Sequence, residues 1–187
     1  MDAQGNGQPD FPSSPAFNRL LRWAAAVAMV ACAVFLFAQQ AAIRPVEARM
    51  AAVIVAFTQL APARTLGTAI LFPANGMYVG LNVTASCSIA LLVSPFCLLA
   101  AGLVLSRRTS LQRGLVTLGV LALWLLVVNQ ARIVAIVVAV RLWGIDRGYD
   151  LSHVMFGTVV TTLGVLGGLF IFIRSLAGAR GPVVAGG

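Results

Sequence analysis

Four long, mainly apolar runs decide what this chain can fold into. They occupy residues 20–38, 88–105, 114–143 and 153–173. Runs of about 18 or more apolar residues need lipid around them. The 187-residue chain is 60% hydrophobic and only 10% charged, so it also has too few polar groups to cover a soluble domain. The sequence therefore predicts an all-α polytopic membrane protein whose constant partner is the lipid bilayer.

The arginines predict how the runs are oriented. The net charge of +8 is spread over short clusters, such as Arg107 and Arg108, which lie between apolar runs. Clusters of this kind mark the cytoplasmic side of a membrane. They form no basic stripe with interleaved aromatic residues, so we expect no nucleic-acid partner. Together with the alanine-rich composition, the pattern predicts a multi-pass protein of a bacterial plasma membrane.

Composition also predicts three divisions of the chain. Residues 1–18 are rich in Gly, Pro, Ser, Asn and Gln, which is typical of a disordered tail, here on the cytoplasmic side. Residues 19–176 hold all four apolar runs and are expected to form a single transmembrane domain. Residues 177–187 are expected to be a second flexible cytoplasmic tail.

The region between the first two runs has two interpretations. Residues 46–61 are apolar but short, so they either cross the membrane or lie on its outer surface as an interfacial helix. Residues 69–84 contain a Pro-Ala-Asn-Gly turn between β-favouring stretches, which predicts a small extracytoplasmic hairpin. The prediction is thus four to five transmembrane helices plus an interfacial helix and this hairpin. The count of crossings favours the interfacial reading, because Cys87 would otherwise change sides.

The third run is too long for one simple crossing. At about 1.5 Å per residue, Arg132 lies about 27 Å along a helix that starts at Gly114. The hydrocarbon core is about 30 Å thick, so we expect Arg132 near the outer interface. The rest of this helix would project beyond the bilayer or bend along it, and residues 144–152 would form a polar outer loop.

This topology brings three polar residues to one depth. Cys87 begins one run at the outer face, Arg132 approaches that face on the next, and His153 begins the last run there. A thiol needs a base or a nearby positive charge to become a thiolate, and a histidine can carry its proton to a leaving amine. A fixed guanidinium can stabilise the oxyanion of acyl transfer. Asn129 shares the helix face of Arg132 and is expected to orient it or to bind substrate backbone.

Each of these residues also has an ordinary interpretation when taken alone. Arg132 would snorkel towards the interface, His153 would make a helix-start hydrogen bond, and Cys87 would be a small buried residue. The other thiols, Cys32 and Cys97, lie inside apolar runs and are expected to be shielded, which leaves Cys87 as the thiol reachable from outside. The sequence has no CxxC, HExxH or GxSxG motif, and we expect no metal and no cofactor.

Three sequence blocks resemble the exosortase/archaeosortase family. They are "TASCSIALLV" around Cys87, "NQARI" from Asn129 to Ile133, and "HVMFG" from His153 to Gly157. The order Cys…Asn-x-x-Arg-Ile…His-x-x-x-Gly is similar to the family pattern over roughly residues 45–175. The family block commonly reads Cys-Ser-Gly, whereas Ile89 follows Ser88 here.

The resemblance implies a membrane cysteine transpeptidase or protease with its active site facing outward. Its substrates would be C-terminal sorting signals of exported proteins, each made of a short motif, a transmembrane segment and a basic tail. Cys87 would be the nucleophile, Arg132 the oxyanion or substrate binder, and His153 the acid and base. The alternative is a non-catalytic scaffold or transporter subunit in which Arg132 lines a polar cavity. A thiol oxidoreductase is a third reading, but Cys97 lies about 15 Å further along a helix from Cys87, too far to pair with it.

Overall fold

The computed structural model describes residues 15–58, 60–107, 109–150 and 157–177. Within these residues the chain is mostly helical, and three helices are long and apolar enough to cross a membrane, which confirms a helical membrane protein. The elements are, in chain order, α1 Pro15–Ala38, α2 Gln40–Phe57, β1 Arg64–Leu66, β2 Ala69–Ala74, β3 Met77–Asn82, a 3₁₀ turn Ala85–Cys87, α3 Ile89–Leu105, α4 Leu111–Asp150 and α5 Gly157–Ala177.

Helices α1, α3, α4 and α5 form a bundle with its own apolar core. This bundle core contains Ala26, Met29, Ala33, Val93, Phe96, Cys97, Ala100, Ala101, Val104, Leu121, Leu125 and Phe172. Small side chains where α1 meets α3 allow the two backbones to approach closely. Arg22, near the start of α1, donates from Nη1 to the carbonyls of Val104 and Thr109, at 3.4 and 3.3 Å. The start of α1 therefore lies beside the end of α3, and the two helices run antiparallel.

Glycines bring α5 against α4. A methyl group added at Gly164 would overlap the side chain of Val128, and one at Gly168 would come within 2.7 Å of Leu121 Cδ1. Trp124 of α4 donates from Nε1 to the carbonyl of Gly164 at 2.9 Å. The close contact between these two helices therefore requires residues without side chains at positions 164 and 168.

The opposite end of the bundle carries a second core, built from α2, the strands and the last turns of α4. We call this region the sheet end. Its core contains Ala48, Ala51, Ala52, Val55, Ala61, Ile70, Phe72, Ala74, Leu81, Val83, Cys87, Ile133, Ile136, Val137 and Val140. The strands form an antiparallel sheet in the order β1-β2-β3. The sheet end is thus a compact cap rather than a lone hairpin.

The predicted hairpin is present, with a tighter turn and an additional strand. Asn75 (φ 50°) and Gly76 (φ 78°) make a two-residue turn of the type that favours Asn-Gly. Pro73 and Ala74, expected in the turn, instead pair with Tyr78 and Met77 as part of β2. The turn needs positive φ at only two residues, so the strands continue right up to them. The short strand β1 was not predicted.

Residues 46–61 belong mostly to α2, which begins six residues earlier, at Gln40, directly after a turn at Gln39. This helix is not among those long and apolar enough to cross a membrane. Its buried face contains Ala48, Ala51 and Val55 and contributes to the core of the sheet end.

Several predicted boundaries are shifted. Helix α1 begins at Pro15, inside the predicted tail 1–18, because proline suits the first turn of a helix. Residues 144–150, predicted as loop, continue α4 after a break at Gly144, whose φ of 82° favours glycine. A methyl at Gly148 would lie 2.6 Å from the Ala139 carbonyl, so the chain folds back on itself there. Residues 1–14, 151–156 and 178–187 lie outside the described residues.

Candidate functional site

A short turn positions Cys87 where the sheet end meets the bundle. The turn Ala85–Cys87 connects β3 to α3, and Ser88 caps α3 by accepting a hydrogen bond from the Ala90 N–H at 3.4 Å. Thr84 Oγ1 donates to Cys87 Sγ at 3.6 Å. Only 5% of Cys87 is exposed, because it forms part of the apolar core of the sheet end. The thiol therefore lies beside the N-terminus of α3 and is covered in this conformation.

Helix α4 brings two predicted site residues to this turn. Asn129 Nδ2 donates to the carbonyl of Cys87 at 2.8 Å, and Arg132 Nη1 donates to the carbonyl of Ser86 at 3.3 Å. Both side chains are buried, at 1% and 7% exposure. Their spacing of three residues places them on one helix face, as the sequence predicts. The structure thus brings together Cys87, Asn129 and Arg132, while His153 lies outside the described residues.

The contacts also define what these two side chains do in this conformation. Each donates to a backbone carbonyl of the turn, and Asn129 therefore binds the turn rather than orienting Arg132. The guanidinium keeps a second donor, because Arg132 Nε is buried without a hydrogen-bond partner. Arg132 can therefore hold the turn with one nitrogen while Nε remains available to a further acceptor.

Other buried polar atoms on α2 and α4 are also without partners. They are Gln40 Oε1, Glu47 Oε2, Asn129 Oδ1 and both terminal atoms of Gln130. Leaving such a group unpaired costs about 1–3 kcal/mol, so proteins normally avoid it. Unpaired polar atoms at a buried position give this region a capacity to bind water or polar groups of a ligand.

Sequence reasoning missed the role of Glu47 in this region. Its Oε1 accepts the N–H of Ile89, the first residue of α3, at 2.6 Å, and the side chain is 2% exposed. Burial raises the pKa of the Glu47 carboxyl, while the Ile89 N–H, the Ser88 hydroxyl and the Arg44 guanidinium act to lower it. One signal was available in the sequence: Glu47 is the only acidic residue between Asp10 and Asp146.

The three cysteines occupy different environments. Cys97 belongs to the bundle core and Cys87 to the core of the sheet end, consistent with the predicted separation of the two. Cys32 and Cys97 line one apolar cavity of about 430 Å³ between α1, α3 and α4, which extends up to Ile89. Cys32 is exposed on α1 and Cys87 is buried, so reaching Cys87 from outside requires the turn or its cover to move.

The described residues contain no group of three or more His, Cys, Asp and Glu side chains that could hold a metal ion. No protein-family profile, curated protein or solved structure matches this chain.

Proposed function

We propose that the protein is a membrane-embedded cysteine transpeptidase or protease that cleaves C-terminal sorting signals of exported proteins. One observation supports this most directly. Asn129 and Arg132, which stand 42 and 45 residues after Cys87, donate hydrogen bonds to the carbonyls of Cys87 and its neighbour Ser86. These are three of the four residues selected by the resemblance to exosortases, and the fold brings them into contact.

In this proposal Cys87 attacks the carbonyl carbon of the scissile peptide bond as a thiolate. The negative charge moves to the carbonyl oxygen, where the free Nε–H of Arg132 is the available donor. Collapse of the tetrahedral intermediate expels the amine, which takes a proton from His153, and leaves a thioester on Cys87. An acceptor amine or water then cleaves the thioester and regenerates the thiol.

The proposal places the sheet end outside the cell. Arg22 and Arg107 lie at the other end of the bundle, where a cytoplasmic position follows from the positive-inside rule. Helix α3, with 17 residues, would be a fourth crossing of about 25 Å that the adjoining turn lengthens. The apolar cavity beside Ile89 would then open within the membrane, close to Cys87.

A non-catalytic scaffold or transporter subunit is the second candidate. The observation that favours it is that Asn129 and Arg132 already serve the backbone of the turn, and that Cys87 is 5% exposed. In this reading the polar side chains only stabilise the junction between the two cores. A thiol at position 87 would then be dispensable.

The test is processing of a reporter by a Cys87→Ala variant. The reporter would be an exported protein from the same genome that ends in a short motif, an apolar span and an arginine cluster. We expect Cys87→Ala to accumulate the uncleaved reporter at normal expression, while Cys97→Ala, which changes a bundle thiol, still cleaves it. Normal cleavage by Cys87→Ala would reject the catalytic proposal in favour of the scaffold.

A further inference from the structure

A buried carboxyl on α2 has no role in the chemistry described so far. Glu47 is 2% exposed, and its Oε2 has no hydrogen-bond partner. Burying a carboxyl is unfavourable unless its oxygens are paired, so its retention at such a position points to a function. Its hydrogen bond from the N–H of Ile89 connects residues 42 positions apart in the sequence.

That hydrogen bond ends two residues from Cys87. Asn129 and Arg132 of α4 bind the carbonyls of Cys87 and Ser86, and Glu47 of α2 binds the amide of Ile89. Two helices thus hold three residues of the stretch 86–89, α4 through two carbonyl acceptors and α2 through one N–H donor. The side chains have matching chemistry, since the two donors meet carbonyls and the one acceptor meets an N–H.

Glu47 does more than cap α3, because it comes from a different helix. Ser88 already caps this helix locally, by accepting from the Ala90 N–H. A helix start has four free N–H groups, and the Glu47 carboxyl serves that of Ile89, which Ser88 does not reach. What the distant carboxylate adds is a connection between α2, which covers the turn, and the residues that follow Cys87.

We propose that Glu47 is a positioning residue for Cys87, which fixes the turn 86–89 against α2 so that the thiol faces the donors of α4. The role in processing rests on the proposed function, whereas the effect on the turn does not. Without the carboxyl, the amide of Ile89 loses its partner and the turn separates from α2. The covered thiol would then be exposed more often.

Alkylation of Cys87 measures this directly. The experiment uses the full-length protein in detergent, with Cys32→Ser and Cys97→Ala so that one thiol remains, and iodoacetamide as the reagent.

Loss of a hydrogen bond to a charged group should make alkylation about tenfold faster in Glu47→Ala. Glu47→Gln keeps an oxygen that can accept from Ile89 and should stay within about twofold of the parent. Arg49→Ala, an exposed change on the same helix, is the matched control and should match the parent.

Alkylation of Glu47→Ala at the parental rate would overturn the proposal. So would a Glu47→Gln variant as fast as Glu47→Ala, because the hydrogen bond to Ile89 would then not be what holds the turn. If Glu47→Ala does not fold, the comparison of Glu47→Gln with Arg49→Ala still decides, since the proposal requires both to behave as the parent. Reporter cleavage by the same variants should rank as the parent, then Gln, then Ala. Failure of the proposed function would appear separately, as cleavage that survives Cys87→Ala.

Discussion

The bundle core and the sheet end are held together by different means. In the bundle, the buried hydroxyl of Ser94 donates to the carbonyl of Ala90 in its own helix and to the carbonyl of Ala33 in α1. At the boundary with the sheet end, Glu47, Asn129 and Arg132 reach residues more than 40 positions away and still leave buried atoms without partners. The bundle thus satisfies its polar groups and gains stability from packing, whereas the boundary keeps polar groups available for binding.

This difference predicts that substitutions in the two regions have separable effects. Changes in the bundle should alter the free energy of unfolding first, and should affect processing only through the amount of folded protein. Changes at the boundary should alter processing more than they alter the free energy of unfolding.

We expect the largest effect from Arg132→Lys. The guanidinium can donate through Nη1 to Ser86 and through Nε to a second acceptor, whereas a lysine ammonium cannot reproduce this fork. Reporter cleavage should fall by about tenfold or more, as expected for the loss of one positioned donor to a developing charge. Thermal unfolding in detergent should change little by comparison.

Arg141→Lys provides the matched control for this substitution. Arg141 lies on the same helix and is exposed. Its replacement should leave both cleavage and unfolding unchanged. Near-normal cleavage by Arg132→Lys would mean that position 132 contributes only a positive charge, and the boundary would lose its distinction from the bundle.

In the bundle, Gly164→Ala should have the opposite signature. The added methyl would overlap Val128 across the contact between α4 and α5, which should cost about 1–3 kcal/mol. Thermal unfolding should occur at a lower temperature, and cleavage per folded molecule should be unchanged. Gly119→Ala, where a methyl meets nothing within 4 Å, is the control and should be neutral or slightly stabilising. Lower cleavage per folded molecule in Gly164→Ala would mean that packing in the bundle also affects processing directly.

The sequence predicts the bundle better than the sheet end. Hydropathy is a local property, so the apolar runs follow from it directly. The convergence of Cys87 with Asn129 and Arg132 also follows, because the membrane restricts each residue to a depth. Residues of different helices that lie at the same depth in the membrane are brought together when the bundle contains only a few helices.

The rest depends on contacts that no local pattern encodes. Strand β1 has three residues, too few for a periodic signal, and is defined by its pairing with β2. The predicted loop is partly helical because the chain breaks at Gly144 and then forms a second helical segment. The role of Glu47 depends on how α2 sits beside the first residue of α3, and this is decided by tertiary packing.

A smaller effect is expected from Gln130→Leu. Gln130 is 5% exposed, and both of its terminal atoms lack hydrogen-bond partners. Replacing an unsatisfied buried amide by an apolar side chain of similar size should stabilise the protein by about 1 kcal/mol. Unfolding temperature measures this gain, and Gln112→Leu, an exposed position at the start of α4, is the control. An unchanged or lower unfolding temperature would contradict the assignment of Gln130 as an unsatisfied group.

The smallest effect concerns the pH dependence of unfolding. Burial raises the pKa of Glu47 above its ordinary value, so the folded protein binds this proton more tightly than the unfolded chain does. The associated stability is fully present below the unfolded pKa of about 4.3 and is lost as pH rises through the folded pKa. As pH rises from about 4.3 through the folded pKa, the unfolding temperature of the parent should therefore fall relative to that of Glu47→Gln. At higher pH the difference between the two unfolding temperatures should stay constant. A difference independent of pH would mean that the groups lowering the pKa of Glu47, among them the Ile89 N–H and Arg44, balance the effect of burial. A shift in favour of the parent as pH rises would mean that they outweigh it. Glu47 would then resemble the satisfied polar groups of the bundle.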